Sequence, residues 1–282
     1  MDAARGADDG QKALWNGVAG RNWVATQDLI DQVYKPLETL VAEAVGPGSR
    51  VLDVGCGTGA TTVAAARRAG AGGDCVGVDI AEPMIAAARA RAEREGVPAR
   101  FVRADAATHA FEPDSFDLVV SRFGVMFFDD FAGAFANLRR AARPGARLRL
   151  VVWRGPDDNP FMTTAERAAA PLLPDLPRRE PDAPGQFAFA RAERLRGVLE
   201  DGGWTGVDTE PVDVECVMPA KELERYVTLL GPVGRVLPGV DERTRARVVE
   251  ALLAAFAPYV HDTEVRFTAA CRLVGATAGG TM

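Results

Sequence analysis

Apolar residues recur along this chain with two different periods. Between Trp15 and Val45 they fall at three-, four- and seven-residue intervals, through Trp23, Ile30, Val33, Leu37, Leu40, Val41 and Ala44. That spacing draws one apolar stripe along a helix. Pro36 would break a continuous helix, so two shorter helices are expected, with Pro36 opening the second. A frayed start is expected ahead of them. After the turn Gly46-Pro47-Gly48-Ser49, short apolar runs alternate with helical stripes. Strands are expected at Arg50–Gly55, Cys75–Ile80, Arg100–Ala104, Phe116–Phe123 and Arg147–Trp153. Helices are expected at Ala60–Ala69 and Pro83–Glu95, and a third, capped by Asp129 or Asp130, buries Phe131, Ala134, Phe135 and Leu138 before Pro144-Gly145. Such alternation implies a parallel sheet covered on both faces.

The pattern changes after Trp153. Seven prolines and little periodicity between Gly155 and Gly185 read as a long connection or lid. A helix is expected at Arg191–Asp201, ended by Gly202-Gly203, and a strand within Trp204–Val217. Two further helices follow, Lys221–Leu230 and one capped by Asp241 that sets Val248, Val249, Leu252, Leu253 and Phe256 on one face. Val265–Val274 reads as the last strand. The expected organisation is therefore an N-terminal helical cap (1–45), a core (46–154), a Pro-rich connection (155–190) and the remainder of the sheet (191–282), with a helical insertion at about 219–258.

Composition narrows the function. With 48% hydrophobic and 26% charged residues the chain is an ordinary globular one, long enough at 282 residues to bury a full core. A net charge of −6 lacks the basic footprint that nucleic acid requires. No apolar run approaches the roughly 20 residues of a membrane span. The start of the chain has neither the basic nor the apolar part of a secretory signal, which predicts a cytoplasmic protein. Cys56, Cys75, Cys216 and Cys271 lie far apart without metal or redox spacing, so neither a disulfide framework nor a metal site is expected.

The chemistry concentrates in Val51-Leu52-Asp53-Val54-Gly55-Cys56-Gly57-Thr58-Gly59-Ala60, a strand that turns through glycines into a helix. Glycines there admit positive φ and let backbone approach a ligand closely. The same spacing fits the dinucleotide fingerprint, or simply a tight turn. Asp79 ends the second strand 24 residues beyond Gly55, where a carboxylate can accept from both ribose hydroxyls. Asp105 ends the third strand and can take a bond from an adenine amine, or merely cap the next turn.

Five segments carry a family resemblance: V-L-D-V-G-C-G-T-G (51–59), V-G-V-D-I with P-M (76–80, 83–84), A-D-A (104–106), F-D-L-V-V-S-R-F-G-V-M-F-F (116–128) and N-L-R-R-A-A-R-P-G-A-R-L (137–148). In their order and spacing, over about 48–153, the chain resembles the class I S-adenosylmethionine-dependent methyltransferases, in particular their ubiquinone/menaquinone-biosynthesis-type branch. Ala146 departs from the glycine common after the Pro-Gly turn. The resemblance implies a Rossmann-like α/β fold, with a seven-stranded, mostly parallel sheet whose last strand is antiparallel, and a helical cap or lid. It implies S-adenosylmethionine as cofactor, with Gly55, Cys56, Gly57 and Gly59 at its methionine portion and Asp79 at its ribose. Ile80 and Met84 would flank the adenine, and Asp105 and Ala106 would meet its polar edge. Ser121, Arg122 and Phe123 would face the methionine and the acceptor, while Asp53 would reach the amine through water or only order the loop.

Methyl transfer from a sulfonium needs mainly positioning and a dry pocket, so the lack of a nucleophile motif is expected. His261, beside Tyr259, is the candidate general base, whereas His109 reads as structural. Trp15, Trp23, Met126, Phe127 and Tyr226 are the candidate apolar lining of an acceptor pocket, with ordinary core burial as the alternative. The expected acceptor is a small, largely apolar metabolite such as a quinone, an aromatic or a polyketide-like compound, methylated on carbon or oxygen, or on nitrogen. A nicotinamide-dependent oxidoreductase and a non-catalytic cofactor-binding protein are the rival readings.

Overall fold

The computed structural model describes residues 10–279, so the frayed start expected for residues 1–9 lies outside the described residues. Residues 10–16 form helix α1, followed by α2 (Val18–Ala25), α3 (Gln27–Val33) and α4 (Lys35–Ala42). Pro36 lies in the first turn of α4, where its missing N–H costs nothing. The sequence pattern misses the break at Thr26. Its hydroxyl donates back to the Asn22 carbonyl at 2.7 Å, a local bond that competes with helix continuation.

From there the strands are β1 (Arg50–Val54), β2 (Asp74–Asp79), β3 (Ala99–Arg103), β4 (Phe116–Arg122), β5 (Ala142–Trp153), β6 (Trp204–Pro219), β7 (Val260–His261) and β8 (Glu264–Ala278). They form one sheet in the order β3-β2-β1-β4-β5-β8-β6, with two-residue β7 added as a hairpin on β8. The pairs from β3 to β5 are parallel, and β8 runs antiparallel to both β5 and β6. The expected seven-stranded path with a reversed last strand is present, and the hairpin is the one addition. The central strands read as continuous apolar runs because they are covered on both faces; Val51, Leu52, Val119 and Val120 are fully buried.

Helix α5 (Ala60–Ala69) connects β1 to β2, α6 (Glu82–Glu95) connects β2 to β3, and α7 (Phe131–Ala141) connects β4 to β5. Right-handed crossovers that progress outward from β1 in one direction and from β4 in the other put these helices on opposite faces. The order therefore reverses between β1 and β4, and a crevice opens beyond their carboxyl ends. Asp130 caps α7, its carboxylate accepting from the Gly133 N–H at 3.0 Å.

The Pro-rich connection is not wholly irregular: it contains α8 (Pro160–Ala169), with a proline at its start. Next come α9 (Ala192–Asp201), α10 (Leu223–Leu229), α11 (Gly231–Val236) and α12 (Glu242–Phe256). Helix α11 escapes the sequence reading because six residues carry too little periodicity. Phe161 on α8 stacks on Phe267 of β8 with centroids 3.8 Å apart and meets Phe256 of α12 edge-on at 5.0 Å. The cap is thus keyed into the reversed strand by aromatic packing. Among the described residues, no helix is long and apolar enough to cross a membrane.

Asn159 shows how β8 is held beyond the end of β5. Its amide donates to the Ala270 carbonyl at 2.9 Å and accepts from the Ala270 N–H at 2.9 Å, as a neighbouring strand would. Asn159 is fully buried. The Ala270 carbonyl also accepts from the Arg154 N–H at 3.0 Å, so Asn159→Ala leaves the Ala270 N–H unpaired and should lower unfolding free energy by about 1–3 kcal/mol, read as a reduced urea midpoint at unchanged slope.

Candidate functional site

The carboxyl edge of the sheet opens into a cavity of about 1390 Å³. Its floor begins where β1 and β4 end. A Cβ on Gly55 would stand 2.5 Å from the Gly124 Cα, so the two chains touch backbone to backbone, which no side chain permits. Ser121 fastens this junction: its hydroxyl donates to the Val54 carbonyl at 2.7 Å and accepts from the Gly124 N–H at 3.1 Å. Between them Phe123 adopts φ +69, strained for a bulky residue, and stacks on Trp153 at 4.6 Å. Strain of this kind persists only where surroundings enforce it, and it clusters at binding sites.

Asp79 organises the glycine loop. One carboxylate oxygen accepts from the Gly57 N–H and the other from the Ala81 N–H, each at 2.9 Å. Burial pushes its pKa up, while these peptide N–H bonds pull it down. The carboxylate is therefore fixed in orientation and lines the cavity together with Gly55, Gly57, Ile80 and Met84. Asp105 and Ala106 line it from the end of β3; Asp105 also accepts from the Ala107 N–H at 2.8 Å, so it both caps a turn and faces the cavity. Arg122 and Phe123 complete this side, with Arg122 reaching the Tyr34 carbonyl at 3.4 Å.

Four residues expected at the cofactor lie behind the wall. A Cβ on Gly59 would come within 3.0 Å of Ala88 and the Phe101 ring, so this glycine serves the packing of α5 rather than facing the cavity. Cys56 packs with Val63, Ile85 and Phe101 under the sheet edge. Ser121 is turned inward by the bonds described above. Asp53 is buried beneath the loop, one oxygen accepting from the Thr62 hydroxyl at 2.6 Å and the other without a partner among the described residues. Burial raises Asp53 to about 7, against the Thr62 bond and the charge of Arg122.

The acceptor-side candidates converge: Trp15, Trp23, Met126, Phe127 and Tyr226 all line the cavity. Trp15 meets Phe127 edge-on at 5.1 Å and Trp23 at 6.1 Å. Tyr226, expected as apolar lining, is also polar: its hydroxyl lies 2.9 Å from that of Tyr34, and both are buried. The sequence reading of His261 is corrected. It sits exposed on the β7–β8 hairpin, outside the cavity, because the chain turns to the surface after Tyr259 and reverses at Asp262 with φ +53. Sequence reasoning also missed Tyr34, Trp153 and Arg235 in the lining. Only Trp153 carried a signal, since it ends a parallel strand as Asp79 does.

The chain matches the methyltransferase domain family over residues 51–145. It is 32% identical over 166 residues to a demethylmenaquinone methyltransferase of Mycobacterium sp. (strain KMS), covering 59% of this chain and 68% of that one. This chain belongs to the class I S-adenosylmethionine-dependent methyltransferase family. It is also 38% identical over 144 residues to a nocamycin O-methyltransferase of Saccharothrix syringae, covering 50% of each. Matches to other curated relatives, from Mycobacterium tuberculosis and Mycobacterium bovis, span 63% of their length. The YcgJ protein of Bacillus subtilis shares the fold at TM-score 0.57 and 17% identity, over 88% of this chain and all (100%) of that one.

Within this methyltransferase domain, Asp53 gives a pH signature. Its folded pKa exceeds the roughly 3.9 of an unfolded aspartate, so the folded state holds this proton more tightly. Stability is therefore greatest below about pH 4 and is lost as pH rises toward 7. Asp53→Asn removes that dependence, and relative to the native chain it should gain roughly 2–3 kcal/mol between pH 5 and pH 8, measured by urea unfolding at both.

Proposed function

We propose that this protein transfers the methyl group of S-adenosylmethionine to a small, largely apolar metabolite of quinone, aromatic or polyketide-like character. The observation that carries the reading is a convergence. Bare backbone at Gly55 and Gly57, the oriented Asp79 carboxylate and Asp105 share one cavity with an aromatic lining. Relatives named for menaquinone and nocamycin methylation support a small acceptor, one of them named as an O-methyltransferase. A place in secondary metabolism is consistent with that.

The residues fit the cofactor. With both Asp79 oxygens anchored on peptide N–H groups, their remaining lone pairs are available to ribose hydroxyls. Ile80 and Met84 would flank the adenine, and Asp105 and Ala106 would meet its polar edge. The Oε1 of Gln11, buried in the cavity wall and unpartnered among the described residues, adds an acceptor for an amine. Arg122 would receive the amino-acid carboxylate. When bound, S-adenosylmethionine supplies a methyl group already activated by its sulfonium.

The chain's own contribution is then orientation and exclusion of water. Gly55 and Gly57 let the cofactor's tail reach the backbone, and the rings of Phe123, Trp153 and Tyr34 form an aromatic wall favourable to a cation by about 0.5–2 kcal/mol. The Tyr34–Tyr226 pair offers a hydroxyl donor to an acceptor oxygen. Burial raises both phenols above their ordinary range, which suits donation rather than proton abstraction. Calorimetry should detect S-adenosylmethionine and S-adenosylhomocysteine but not NAD. Asp79→Ala should weaken both by about 1.5–3 kcal/mol, tenfold or more. Tight NAD binding, or unchanged affinity in the variant, would overturn the reading.

A further inference from the structure

Arg235 is the feature that the cofactor reading does not use. It sits near the end of α11, half-buried, and lines the cavity. Its helix is held in place by Asn22, whose amide donates to the carbonyls of Leu229 at 2.9 Å and Gly234 at 3.3 Å. Among the described residues its guanidinium makes neither a hydrogen bond nor an ion pair. The neighbouring carboxylate, Glu166, is already engaged on both oxygens by Arg179, with Arg179 Nε donating at 2.7 Å. Arg191 and Arg194 are likewise paired with Asp182. Burial depresses the pKa of Arg235, with Arg179 acting in the same direction and only Glu166 opposing.

Glu166 is thus committed to Arg179, and Arg235 is left without a counterion of its own among the described residues. A half-buried cation without a counterion favours an anion that joins it. Guanidinium geometry matches a planar oxyanion through two parallel bonds. A single spare charge balances a monoanion, not a phosphate dianion. Arg178, also at the cavity, is exposed to solvent and carries no such demand.

We propose that the acceptor bears one carboxylate on an otherwise apolar body, and that Arg235 receives it. This rests on the reading that the cavity holds the acceptor beside the cofactor. It makes Arg235 a specificity determinant: the charge at one end of the acceptor fixes which end faces the methyl donor.

The test titrates 2-naphthoate, its methyl ester and 2-naphthyl phosphate into protein saturated with S-adenosylhomocysteine. The native chain should bind 2-naphthoate at least tenfold more tightly than the ester and more tightly than the phosphate. Arg235→Gln should bring the acid down to the ester's affinity while S-adenosylhomocysteine binding stays unchanged. Glu166→Gln, which releases the second guanidinium, should tighten 2-naphthoate several-fold and keeps the test open if the first variant does not fold. Equal binding of acid and ester by the native chain, binding of neither, a tighter phosphate, or an unmoved preference in both variants would each overturn the proposal. Failure of the native chain to bind S-adenosylhomocysteine would instead sink the cofactor reading, and the acid–ester comparison can be run without it.

Discussion

The contact on which the site depends is between two bare backbones. Gly55 leaves β1 and Gly124 follows β4, and they approach so closely that a methyl group on either would collide with the other. This happens at the point where the strand order reverses, so the chains diverge immediately afterwards, one into α5 and the other toward α7. The divergence is the cavity. Ser121 holds that junction with its hydroxyl spent on the protein itself, and the strained backbone of Phe123 turns its ring to the cavity wall.

Charge is handled sparingly around this edge. Asp79 is buried yet tolerable as a carboxylate because peptide N–H groups of the glycine loop and of the α6 entry face it. Asp53, one layer deeper, has only the Thr62 hydroxyl and a distant arginine, so desolvation dominates and its proton is held to near neutrality. The aspartates of two neighbouring strands therefore differ in role: Asp79 presents its carboxylate to the cavity, and Asp53 props the loop from behind. The same logic identifies Arg235, a cation whose obvious counterion is committed elsewhere.

The acceptor side is built differently. Trp15 and Trp23 come from the N-terminal helices, Phe127 from the turn after β4, Tyr226 from α10, and Phe256 from the end of α12. These segments are far apart in sequence, and the stacking of Phe161 on Phe267 ties their cap to the reversed strand. Because the lining is drawn from connections rather than strands, the acceptor preference can change without disturbing the sheet.

The strand–helix alternation, the parallel core and the residues at strand ends can be read from the order of residues, because period and glycine placement are local properties of the chain. Asp79, Asp105, Gly57 and the aromatic candidates were legible on that basis. Which side of the wall each residue faces follows from packing between segments distant along the chain. Gly59, Cys56, Ser121 and Asp53 belong to the motif but are consumed by packing and internal bonds, since a turn presents successive residues in different directions. His261 was misplaced for a related reason: nearness in sequence to the roof helix says nothing of the hairpin that carries it outward. Arg235 and the Tyr34–Tyr226 pair were invisible, because an unpaired charge and a buried hydroxyl contact are defined by neighbours that only folding brings together.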